Sequence, residues 1–90
     1  MSQTDDRKLY IAELSMSLAH QVARRGEIGS ELVERAGDYA GFLIGSDDID
    51  HHRRLVALTK ASEIAERGEE ASETIERADA IKSYLAGETQ

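Results

Sequence analysis

Ninety residues with a net charge of −7, no cysteine and no proline make one small chain that needs no disulfide framework and has no thiolate chemistry. The acidic balance argues against a general nucleic-acid or anionic-membrane binder, and no apolar run approaches a bilayer span. An apolar fraction of 40% with one Phe, three Tyr and no Trp favours an all-α chain with an Ala-rich, aliphatic core.

The first helix is expected from about Asp5 to Arg25, with Thr4 as its N-cap, Asp5 and Asp6 against its positive end, and Arg24 and Arg25 against its negative end. Ile11, Leu14, Leu18 and Val22, with the stripe Ala12, Met16, Ala19 and Ala23, make a broad apolar arc. His20 reads as a surface or boundary residue. Gly26 ends the helix, and a short turn leads to a second helix capped by Ser30 and closed by Gly45. Its inward side is Leu32, Val33, Ala36, Ala40, Leu43 and Ile44, and Glu31 and Arg35 have the spacing of an ion pair. Gly37 and Gly41, four apart, would permit close helix approach.

The third helix starts near Ser46–Asp50 and reaches about Glu66, with Val56 or Leu58, Ala61, Ile64 and Ala65 inward. The fourth runs from Ser72 to Gly87, with Ile75, Ala78, Ile81 and Leu85 inward, a Glu73–Arg77 pair, and Glu88–Gln90 as a frayed tail. Tyr10, Tyr39 and Tyr84 read as boundary residues with wet hydroxyls.

This second half repeats the first. Residues 5–45 set against 47–87, an offset of 42, give 14 identities in 41 ungapped pairs, against about 3 or 4 by chance at this composition. The expected architecture is therefore all-α. Four helices form two tandem αα-hairpin repeats, about 4–45 and 46–87, packed as a small helical bundle within a single domain over 1–90. Approximate two-fold internal symmetry is the first expectation and a stacked two-repeat solenoid the alternative.

Differences between the copies carry the functional clues. Ile11 and Leu18 stand where the second copy has Arg53 and Lys60, so they are either core or an apolar seam for a second copy or another protein. Glu63, Glu66, Glu69, Glu70, Glu73, Glu76 and Asp79 recur every three or four residues, as a solvated face or as an acidic ridge that engages a basic protein surface. In the run Asp47 to Arg54, the Asp47/His51 and Asp48/His52 spacings would let pairs of side chains meet a metal. Adjacent histidines point about 100° apart, however, and no further His or Cys completes a shell. No metal or cofactor is expected. His51, His52, Arg53 and Arg54 remain as a solvated helix start or an anion contact, and with Arg24 and Arg25 they are the candidate nucleic-acid contacts. No nucleophile–base pattern or phosphate loop is present, so no enzyme activity is expected.

The segments Glu34-Arg35-Ala36, Tyr39 and Phe42-Leu43, and again Glu76-Arg77-Ala78, Ile81 and Tyr84-Leu85, resemble the closing helix of small helical accessory proteins of bacteriophages. The resemblance implies a phage or prophage setting and no defined activity. A cytoplasmic location is expected from the absence of cysteine and of an apolar span. By analogy with small acidic phage proteins as a class, anti-CRISPR proteins among them, the expectation extends to inhibition of a host nucleic-acid-handling complex by binding. The expected function is thus a non-enzymatic, acidic, helical protein-interaction module. The alternatives are a regulator that contacts nucleic acid and a small structural homo-oligomer.

Overall fold

The computed structural model describes residues 3–87, with side chains from Asp6 onward. The backbone of Thr4 and Asp5 is already helical, so Thr4 is not the N-cap residue expected; the side chains of both, and the Glu88–Gln90 tail, lie outside the described residues. Four α-helices follow one another: α1 (Gln3–Val22), α2 (Gly29–Leu43), α3 (Asp48–Glu63) and α4 (Ala71–Leu85).

Two short turns fold α1 onto α2 and α3 onto α4 as hairpins. Each turn pivots on a glycine at the same backbone angle, Gly26 and Gly68 both at φ +84°, a conformation that costs any residue with a Cβ. The helix starts differ from the Ser-capped expectation. Ile28 and Glu70 are the N-cap residues, and Ser30 and Ser72 lie exposed inside the first turns. α3 is capped by Asp47, whose side chain accepts from the Asp50 amide at 2.8 Å.

The hairpins stack in the same sense rather than about a two-fold axis. Arg7 meets Asp48 (3.5 Å) and the Tyr10 ring meets His51 edge-on (5.7 Å), so α1 and α3 begin side by side. At their other ends the Gly68 amide donates to the Val22 carbonyl (2.6 Å), so they also finish side by side. α1 packs on α3, and α2 on both α3 and α4, while α1 and α4 do not touch. This is the neighbour pattern of stacked hairpins in helical-repeat proteins. It yields a flat molecule of 40 × 38 × 15 Å.

Both hairpins share one core: Ile11, Leu18, Ala19 and Val22 from α1; Ala36, Tyr39, Phe42 and Leu43 from α2; Ala57, Leu58 and Ala61 from α3; and Ala78 from α4. Ile11 and Leu18 belong to this core and form no exposed stripe. Several expected inward residues face solvent instead, namely Ala12, Val33, Ile44, Ile64 and, in part, Leu85. Tyr39 is fully buried and its hydroxyl has no partner among the described residues, whereas Tyr10 and Tyr84 are exposed. Gly37 and Gly41 face open space and bring no helix close.

The ion pairs differ from the i,i+4 expectation in a repeated way. Arg35 pairs with Glu27 (2.8 and 3.1 Å) and Arg77 with Glu69 (2.6 and 3.1 Å), each Arg reaching eight residues back to the carboxylate that follows the turn glycine. Glu31 pairs with Arg24 instead. Arg35 also donates to the Glu69 carbonyl, tying the first hairpin to the turn of the second. The carboxylates of Glu27 and Glu69 are nearly buried, and their arginines hold both below the usual carboxylate range; the same pairing raises the arginines.

A depressed carboxylate contributes stability that is present above its unfolded pKa and is lost as pH falls through the folded one. With an ordinary value of 4.5 for both groups, the melting temperature should be flat above about pH 5 and fall progressively below about pH 4.5. A Glu27→Gln/Glu69→Gln variant should melt lower at neutral pH and show a shallower acid limb in thermal scans. An unchanged acid limb would place the acid sensitivity elsewhere.

Candidate functional site

An acidic surface feature lies between α2 and α4, the pair of closing helices. Two open grooves run into one another there, sharing Asp38 and Ser72. One, of about 550 Å³, has Phe42 and Ile75 on its floor and Asp38, Glu76 and Asp79 on its walls. The other, of about 320 Å³, is walled by Glu31, Glu34, Asp38 and Glu70. Helical spacing explains the assembly. Glu31, Glu34 and Asp38 project along one side of α2, and Ser72, Ile75, Glu76 and Asp79 along one side of α4. The stacking of the hairpins brings these sides face to face.

Charge in the trench is only partly compensated. Glu31 is held by Arg24 (2.6 Å), and Asp79 lies 3.8 Å from Lys82. Glu34, Asp38, Glu70 and Glu76 are exposed and in no ion pair among the described residues. Arg35 also lines the second groove but is committed to Glu27, as Arg77 is to Glu69. An apolar floor between acidic walls suits a basic protein segment that also presents apolar side chains.

The structure divides the acidic series found in the sequence. Glu70, Glu76 and Asp79 line the trench. Glu63, Glu66 and Glu73 are exposed outside it, Glu63 lying 3.9 Å from Lys60. Glu69 faces inward and also accepts from the buried Thr74 hydroxyl (2.8 Å), so it belongs to the scaffold and not to the ridge. Glu34 and Asp38 were missed. The repeat held the signal for one of them, since Glu34 and Glu76 occupy equivalent positions 42 residues apart.

The cationic clusters do not converge. Arg24 and Arg25 line a pocket of about 380 Å³ with His20 and Arg67 at the turn end of the molecule. His51–Arg54 start α3 at the other end, where His51 meets Tyr10. Thirteen residues, nearly all of them helical and spanning roughly 20 Å of rise, separate Tyr10 from Arg24. His51 is buried, its Nδ1–H donating to the Leu43 carbonyl (2.7 Å), with Nε2 unpartnered among the described residues. Arg54 bonds Asp50 (2.9 Å) and the Phe42 carbonyl (3.0 Å), and lies 5.5 Å from the centre of the Phe42 ring. Asp50 is held below the usual carboxylate range by the Ser46 amide first and Arg54 second. Only His52 is fully outward, with Arg53 half-buried. The cluster seats α3 on α2 and offers no four-residue anion contact. The Asp47/His51 and Asp48/His52 pairings are not formed, since Asp47 caps α3 and Asp48 faces Arg7.

Among the described residues no group of three or more His, Asp or Glu side chains is placed to hold a metal ion, and no helix is long and apolar enough to cross a membrane. No family model, curated protein or solved structure matches the chain.

Proposed function

We propose that this protein is a non-enzymatic interaction module that captures a basic segment of another protein in the trench between α2 and α4. The observation that carries the reading is the union of an apolar floor, Phe42 and Ile75, with exposed carboxylates from both hairpins, Glu34, Asp38, Glu70 and Glu76. Such walls speed encounter with a cationic surface and select against anionic ones, while the floor supplies the apolar contact that holds it. A basic segment of this kind is what nucleic-acid-handling proteins present. Together with the phage-accessory resemblance, this favours an inhibitor of a host nucleic-acid-handling complex, acting in the cytoplasm. Direct contact with nucleic acid is the weaker reading, because its candidate cations lie at opposite ends of the molecule.

The test is a tagged pull-down from nuclease-treated bacterial lysate read by mass spectrometry, repeated with Glu34→Lys/Asp38→Lys/Glu76→Lys and with the control Glu63→Lys/Glu66→Lys. The trench variant should reduce affinity for a captured basic protein at least about tenfold, and the control by no more than about twofold. Equal retention by both variants would remove the trench from the function. A catch that nuclease abolishes would favour nucleic-acid contact instead.

A further inference from the structure

The stack is built from one face of the first hairpin, and the second hairpin carries a copy of that face that is exposed among the described residues. Val22, Phe42 and Leu43 seat the second hairpin. The Val22 carbonyl accepts from Gly68, Phe42 shares a groove with Ile75, and the Leu43 carbonyl accepts from His51. Their side chains are 1, 8 and 0% exposed. The residues 42 positions on are Ile64, Tyr84 and Leu85, each apolar and 69, 72 and 41% exposed. The hairpins share their turn angle and their Glu–Arg pair, so the three residues occupy corresponding places on the outer face of the second hairpin.

The complementary face is also open. The groups that sit on Val22, Phe42 and Leu43 are Gly68, Ile75 and His51. Their counterparts 42 positions earlier are Gly26, Val33 and Leu9. Gly26 has the same φ of +84° as Gly68, and Val33 and Leu9 are exposed. We infer that these two faces bind each other between copies, so that a second copy of this chain continues the hairpin stack. Leu9 of one copy then meets Leu85 of the next, Val33 meets Tyr84, and the Gly26 amide points at the Ile64 carbonyl. The Arg54 contact with Phe42 and the His51 hydrogen bond to the Leu43 carbonyl are not reproduced, because Ala12 and Leu9 stand in their places and leave an apolar contact there. The contact is head-to-tail, so growth is open-ended rather than closed at a dimer. A charge of −7 on every copy opposes it, and added salt strengthens it.

The surface is independent of the trench, which Leu9 and Tyr84 do not line. The test is sedimentation of the purified chain up to about 1 mM, with Leu9→Glu blocking one face and Tyr84→Glu the other, and circular dichroism verifying the fold of each. The wild type should rise in mass with concentration and with salt, without a plateau at two chains. Each variant alone should stay at one chain. An equimolar mixture should form a one-to-one dimer, because one variant keeps the outer face of the second hairpin and the other keeps its complement. A single-chain mass for the wild type at all concentrations, a dimer plateau, or a mixture that remains monomeric would each overturn the inference.

Discussion

Arg35→Met is expected to lower the unfolding free energy by about 3 kcal/mol and the melting temperature by roughly 15 °C. The guanidinium forks onto the nearly buried Glu27 carboxylate and reaches across to the Glu69 carbonyl. Methionine keeps much of the packing and leaves Glu27 without its partner. The repeat supplies the comparison, because Arg77 makes the same fork onto Glu69, is more exposed, and has no carbonyl of another hairpin among its bonds. Arg77→Met should therefore cost clearly less in urea or thermal melts. Equal losses at the two positions would mean that the reach across the hairpins contributes nothing.

Gly45→Ala is expected to cost about as much, near 3 kcal/mol, for a steric reason. A Cβ at Gly45 would stand 2.5 Å from the His51 nitrogen and 2.8 Å from its Cα, and backbone in the first turn of a helix cannot swing aside. α3 would have to lift off the end of α2, stretching the His51–Leu43 and Arg54–Phe42 contacts that start the stack. Gly87, the equivalent glycine, has open space around it among the described residues and only a positive φ of +76° to lose, so Gly87→Ala should cost about 1 kcal/mol. A Gly45→Ala loss no larger than that at Gly87 would refute the close approach.

The duplication, the four helices and the turn glycines were legible because they are local. Gly26 and Gly68 share their neighbours as well as their conformation, and Ala19 with Ala61 and Ala36 with Ala78 mark the same buried places in both copies. What failed is what neighbouring elements decide. Glu31 and Arg35 have a good helical spacing, yet the positive-φ turn brings Glu27 over the helix, and a carboxylate that arrives there sheltered from solvent outcompetes an exposed one. Ile64 and Leu85 read as core because they are apolar at core spacing, but they lie on the face of the second hairpin turned away from the first and are exposed among the described residues. His51 reads as a surface histidine, and the stacking alone places it on the Leu43 carbonyl. Half of the trench was legible in α4. The other half, Glu34 and Asp38, depends on which helix stands opposite.

Most neighbours in this molecule are close along the chain. Each hairpin closes through a turn of a few residues, and the two are joined by only the four residues from Ile44 to Asp47. Bringing the pieces together therefore sacrifices little chain entropy, and folding belongs to the microsecond-to-millisecond regime of local topologies. The order of events follows from what each piece can bury. The second hairpin has a thin apolar set of its own, so it should complete only as it docks on Val22, Phe42 and Leu43, making the first hairpin its template.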